Sequence, residues 1–137
     1  ANVCVGDVFR LGAALIQVAQ ARQPCWKLNL RFGKPDMSRR VQESARTGWY
    51  YRVLETGEVA PGAELRLLDR PRPDWPLAHL LHHLYADPLN VDALAAIKAL
   101  DVLSASWREL AQRRLTSGQI EDWSRRLNTP AKQTRRQ

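Results

Sequence analysis

Residues 69–76 read DRPRPDWP, and three prolines in eight residues can continue neither a central strand nor a helix interior. This string divides the chain into parts with different hydrophobic periods. Beyond it, Leu77, Leu80, Leu81 and Leu84 recur at helical spacing, with Pro76 suited to a first turn. Asn90 is placed to cap a second helix carrying Leu94 and Ile97, and Ser106 with Glu109 has capping-box spacing for a third, through about Leu115. Three short helices over roughly 76–116 are expected.

Before the string the signals are those of strands. Residues 7–20 read as two strands meeting near Gly12, with Ala14, Ile16 and Val18 sharing a face. Residues 49–55, WYYRVLE, are aromatic and β-branched, and a turn at Pro61-Gly62 introduces a strand over 63–69. Residues 20–35 read as irregular. A helix from Asp36, as N-cap, to about Arg46 ends at Gly48, with Met37, Val41 and Ala45 inward and Arg39, Arg40 and Glu43 in water. Four strands are too few to close a barrel. The expected units are a β part over 1–73, a helical part over 74–127 and a frayed basic tail over 128–137.

Every apolar run is interrupted well short of about 18 residues, so no membrane-spanning helix is predicted. No signal-peptide pattern is visible either, and with two cysteines lacking a framework pattern a reducing cytoplasm is the expected location. A Cys4–Cys25 disulfide stays open as an alternative. The charge distribution is uneven. Residues 22–52 hold eight basic and two acidic side chains, while residues 53–107 hold four and eight. Such an Arg-rich segment fits either an anion site or a solvated basic surface. A DNA-reading third helix would use Arg108, Arg113 and Arg114, but Glu109 and acidic neighbouring helices favour a scaffold or contact module over nucleic-acid binding.

Chemistry concentrates at Arg22-Gln23-Pro24-Cys25-Trp26-Lys27. Nearby cations favour a thiolate, which is a nucleophile and a soft metal ligand; the alternative is an inert loop cysteine behind Trp26. Cys4, among Val3, Val5 and Val8, reads as a small buried residue, and Asp7 as a turn residue. His79 and His83, at i and i+4, could bind zinc. With no third ligand evident and His82 expected on another face, the histidines read as surface residues.

The strings NVCVGDVFRLGAALIQVAQARQPCWKLNLRF (2–32), GWYYRVLETGEVAPGAELRLLDR (48–70) and SGQIEDWSRRL (117–127) resemble the stand-alone bacterial MOSC proteins, named for the molybdenum cofactor sulfurase C-terminal domain. The YiiM-like branch, associated with 6-N-hydroxylaminopurine resistance, is the part of the family they are most similar to. The resemblance implies a β-barrel followed by a three-helix domain. It also implies an N-terminal barrel half, with His-Gly-Gly and Gly-Glu-Asn segments, that is absent from this sequence. The fold expected of this chain is an incomplete MOSC-like β-barrel portion plus three helices.

The same resemblance places the family's cysteine on Cys25, as molybdenum ligand or sulfur carrier. Arg22 and Lys27 fall on basic positions of that motif, and Asn29, Arg31, Trp49 and Arg52 are further cofactor-binding candidates. The implied function is a molybdenum–pterin cofactor protein that reduces N-hydroxylated bases or amines with electrons from an external redox partner. A cofactor or sulfur carrier without turnover is the alternative, and this chain alone is expected to be inactive without the missing half or a complementary chain. Pyridoxal phosphate is also attached to the family, and Lys27 alone supports it weakly.

Overall fold

The computed structural model describes residues 3–134. Four strands, β1 (Val8–Leu11), β2 (Ala14–Ala21), β3 (Trp49–Glu55) and β4 (Leu65–Asp69), form one antiparallel sheet in the order β3-β2-β1-β4. The sheet is open. β1 and β2 are joined by a two-residue turn at Gly12-Ala13, where Gly12 takes φ 56°. The β3–β4 connection folds back over this turn, with the Ala13 N–H donating to the Glu58 carbonyl at 3.0 Å. Gly57 passes so close that a Cβ there would lie 2.3 Å from the Ala13 carbonyl carbon, so a side chain is excluded.

The alternation expected over 14–18 is present: Ala14, Ile16 and Val18 are buried, together with Phe9 from β1. Their partner is the helical part. Helices α3 (Leu77–Tyr85), α4 (Val91–Ala99) and α5 (Ala105–Ser117) follow the proline-rich string and match the three expected there. Leu80, Leu84, Ile97 and Leu100 are fully buried and join the sheet's inner face in one continuous core. Each such side chain contributes about 1.5–3 kcal/mol relative to an exposed one. The proline-rich string is itself pinned down. Val5 N–H donates to the Trp75 carbonyl at 2.9 Å, Leu77 N–H donates to the Val3 carbonyl at 2.8 Å, and Trp75 is buried.

Several expectations are corrected. Helices are more numerous than the three of the expected fold: α1 (Lys27–Phe32), α2 (Met37–Ser44), α6 (Ser124–Leu127) and α7 (Ala131–Thr134) add to them. Only α2 among these was expected; α1 lies in the segment read as irregular. α2 ends at Ala45, which adopts the left-handed conformation with φ 56°, and not at Gly48. Its most buried side chains are the polar Ser38 and Gln42, not Met37, Val41 and Ala45, because polar partners from the C-terminal segment cover that side.

At α5 the N-cap is Ser104 rather than Ser106, without a side-chain capping bond. Asn90 does cap α4, its Oδ1 accepting from Ala93 N–H at 3.0 Å. The basic tail expected to fray contains α7, and the Thr129 hydroxyl accepts from Asn29 at 3.3 Å; residues 135–137 lie outside the described ones. Among the described residues, no helix is long and apolar enough to cross a membrane.

Candidate functional site

The chain leaves β2 at Ala21 and turns through residues 22–26 before entering α1. The first anchor is main chain: Arg22 N–H donates to the Gly48 carbonyl at 2.9 Å, tying the start of this loop to the start of β3. The rest are supplied from a hundred residues away. Trp26 N–H donates to the Arg126 carbonyl at 2.7 Å. The Arg126 guanidinium donates to the Pro24 carbonyl at 2.6 Å and to Gln42 Oε1 at 2.7 Å, and lies 5.6 Å from the centre of the Tyr85 ring. Helix α6 holds Arg126 in place, and its start is fixed by Asp122, which accepts from Ser124 N–H and Oγ, both at 2.8 Å.

The buried Asn29 completes the brace. Its Nδ2 donates to the Leu127 carbonyl at 2.9 Å and its Oδ1 accepts from Ser38 N–H at 2.8 Å. The Ser38 hydroxyl donates to the same Leu127 carbonyl at 2.9 Å. Both ends of the Asn29 amide are therefore engaged inside the protein, which makes it a positioning residue for α1 and α2. Leu127 itself is buried.

Cys25 sits in the middle of this braced loop as a free, half-buried thiol. Cys4 is likewise a reduced thiol, so the disulfide alternative is not realised, but it is buried. Burial pushes its thiol up, and the nearby Arg70 charge only partly opposes this. The two cysteines thus occupy opposite environments. Asp7, read from sequence as a turn residue, is fully buried and paired with Arg70, whose Nη2 and Nε donate at 2.8 and 2.9 Å. It also accepts from the Cys4 N–H at 3.0 Å, so it fixes the fold beneath Cys4.

Arg22, Lys27 and Arg31 are exposed, and none enters an ion pair among the described residues. Arg52 spends Nη2 on the Val102 carbonyl at 2.9 Å, linking β3 to the helical part. Trp49 lines a cleft of ≈ 530 Å³ between the start of β3 and α3, with Arg46, Gly48, Leu77 and Leu81. Arg22 is joined to this cleft through Gly48; Cys25 and Lys27 are not among its lining residues. Sequence reasoning did not select Arg126, although it stands in the SRRL string of the 117–127 segment.

The histidine expectation also changes. His82 and His83 have ring centres 5.1 Å apart, and Asp87 brings a third ligand-type side chain to them. On α5, Arg114 is buried and not part of a basic face. It donates to Glu121 at 2.8 Å and to the Leu84 carbonyl at 2.9 Å.

Residues 1–66 match the MOSC domain family and residues 75–118 match the YiiM-like, 3-alpha helix domain. The chain is 47% identical over 107 residues to the uncharacterized protein YflK of Bacillus subtilis (strain 168), covering 78% of this chain and 48% of that protein. It is 40% identical over 126 residues to protein YiiM of Escherichia coli (strain K12), covering 92% and 56%. The crystal structure of that YiiM superposes with a TM-score of 0.88 at 39% identity, over 93% of this chain and 63% of that one. A protein of Gibberella moniliformis named "Reductase" is 36% identical over 117 residues, 85% of this chain and 21% of that protein. The chain spans about half the length of the two bacterial relatives.

Proposed function

The chain belongs to the MOSC domain family, in its YiiM-like branch, and from that premise we propose that it forms part of a cytoplasmic molybdenum–pterin protein that reduces N-hydroxylated bases or amines. The observation that carries this reading is the contrast between its cysteines. Cys25 is free and half-buried on a loop braced by Arg126, with cationic side chains at Arg22 and Lys27, whereas Cys4 is sealed in the core. A soft, borderline-exposed sulfur on a fixed backbone fits a molybdenum ligand. The name of the fungal relative supports redox chemistry.

In this reading Cys25 is the protein's ligand to the metal. Arg22 and Lys27, uncommitted to any acidic side chain among the described residues, supply positive charge for the pterin phosphate, with Arg31 further along α1. Asn29 and Arg126 keep the loop from moving when the ligand exchanges, and Trp49 with Arg46 walls the adjoining cleft. When bound, the cofactor supplies the two-electron chemistry by which R–NHOH, two electrons and two protons become R–NH2 and water. The electrons come from an external redox protein. Lys27 is exposed at the start of α1, and pyridoxal phosphate keeps only the weak support of that single lysine.

The sheet bears on the same proposal. Its outer strands β3 and β4 leave Tyr50, Val53, Leu54, Leu65, Leu67 and Leu68 exposed. We infer that further strands, in the same polypeptide or a complementary chain, cover these edges in the active protein. The test is molybdenum and pterin content after purification from the native host, with thermal stability measured alongside. Cys25→Ser is expected to lose cofactor while remaining folded, and Cys4→Ser to retain it. A folded Cys25→Ser protein that stays fully loaded and active overturns the ligand role. One that stays loaded but loses sulfur transfer replaces the reductase reading with the carrier reading.

A further inference from the structure

Helix α3 turns its leucines, Leu77, Leu80, Leu81 and Leu84, into the core and leaves its three histidines on the remaining surface. Two of them are held in unusual positions. His79 stacks on the buried Trp75, ring centres 4.7 Å apart and planes within 19°. One turn later, His83 Nε2 lies 3.1 Å from His79 Nε2, a hydrogen bond in which one nitrogen must carry the proton and the other must not.

The other nitrogen of His83 is the telling atom. Its Nδ1 is buried and has no hydrogen-bond partner at proper geometry. The nearest polar group is a carboxylate oxygen, Asp87 Oδ2, at 3.5 Å. In the tautomer where His83 Nε2–H donates to His79, Nδ1 presents a lone pair toward that oxygen, and a cation between them would engage both. Asp87 is placed there by the chain reversal after α3, where the Ala86 and Asp87 N–H groups both donate to the His82 carbonyl at 2.8 and 2.9 Å. Asn90 holds its carboxylate, donating to Oδ2 at 3.0 Å while capping α4 with its own oxygen. His82 adds a second imidazole, and one ligand atom from each of His82, His83 and Asp87 lies within 4.8 Å of the others.

We propose that His82, His83 and Asp87 form a binding site for a divalent transition metal of the zinc type, with His79 and Asn90 as the outer partners that orient His83 and Asp87. Two imidazoles and one carboxylate are borderline-to-hard donors, which select Zn²⁺ or its neighbours over soft monovalent copper or hard Ca²⁺. Tetrahedral zinc asks for ligand atoms about 3.3 Å apart at bonds of about 2.0–2.1 Å. The contraction from 4.8 Å falls on the exposed His82 and the half-buried Asp87, while the more enclosed His83 stays fixed. Three protein ligands leave one position for water or an external donor. The ion ties the last turn of α3 to the turn before α4. The site is built from residues outside the Cys25 loop and does not depend on the reading of that loop.

The test uses the untagged chain with Cys25→Ser, so that the thiol does not compete, titrated with Zn²⁺ by calorimetry and with Co²⁺ by visible absorption. One equivalent is expected to bind, with a cobalt spectrum free of sulfur charge-transfer bands and a rise in melting temperature. His83→Gln and Asp87→Asn should each abolish stoichiometric binding. His79→Phe keeps the stack on Trp75 but removes the hydrogen-bond acceptor, and should weaken binding about 10–100-fold. Circular dichroism of each variant separates lost ligation from lost folding. Absence of stoichiometric binding to the folded chain overturns the proposal. So does binding that survives Asp87→Asn but vanishes with His79→Phe, which would place the ion between His79 and His83.

Discussion

The helical part and the sheet meet in one core but finish their surfaces differently. In α3–α5, Leu80, Leu84, Leu94 and Ile97 are at 0–1% exposure and Trp107 at 4%, with Val91 at the start of α4 the exposed exception. In the sheet, β1 and β2 supply the buried core residues and β3 adds the half-buried Tyr51, edge-on to Phe9, while β3 and β4 leave Leu54, Val53, Leu67 and Leu68 at 42–60% exposure. The helices therefore bury their leucines against one another and the inner face of the sheet, whereas the outer strands present unpaired edges and a run of exposed apolar side chains. The candidate loop lies at the boundary, leaving the buried strand β2 and held down by the C-terminal segment.

The sharpest way to break this comparison is to truncate matching leucines on its two sides. Leu80→Ala or Leu84→Ala should cost about 2–5 kcal/mol in urea unfolding of the chain, as buried leucine truncations do. Leu67→Ala and Leu68→Ala should cost within about 0.5 kcal/mol. A large loss at Leu67 or Leu68 would mean that β4 is covered in solution, for example by a second copy.

A smaller effect is expected at Arg114, which ties α5 to the end of α3 and to Glu121. Arg114→Met should cost about 1–3 kcal/mol, because it leaves the Leu84 carbonyl without its donor. This contact also carries a pH signature. Burial works against the Glu121 carboxylate, but hydrogen bonding and charge from Arg114 outweigh it and hold the carboxyl below its usual value. A folded-state value below the unfolded one gives stability that is present above about pH 4.3 and lost as pH falls through the folded value. The gap between the wild-type chain and Arg114→Met should narrow on acidification below that point, as read by unfolding midpoints across pH 3–6.

The smallest of these effects concerns the brace. Arg126→Ala removes the donors to Pro24 and Gln42. A loss of about 1 kcal/mol is expected globally, with proteolysis appearing first in residues 22–26. Uniform cleavage across the chain would contradict a local brace.

The regions also differ in how much of them was legible. Alternation in β1, β2 and β4 and aromatic, β-branched composition in β3 located the strands closely, and 3.6-residue spacing with Pro76 and Asn90 located α3 and α4, because these signals are local. What escaped was non-local. Helix α1 has only six residues between Trp26 and Gly33, and its ordering rests on Asn29 and Trp26 bonding to residues 126–127. The same partners shifted the most buried row of α2 by one residue, to Ser38 and Gln42, leaving Met37, Val41 and Ala45 half-buried and Arg39, Arg40 and Glu43 exposed as expected. Asp7 could not be matched to Arg70, 63 positions away, by any spacing rule. Asp87 joins His82 and His83 only through the chain reversal that follows α3. The prominence of Cys25 was legible in its basic neighbours; the brace that presents it was not.

The most direct test of this account is the alkylation rate of each cysteine in the native chain, measured by timed iodoacetamide labelling and mass mapping at neutral pH. A sealed core beside a presented loop predicts that Cys25 is labelled while Cys4 stays unmodified until denaturant is added. Equal labelling of both thiols in the folded chain, or labelling of Cys4 before Cys25, would contradict it.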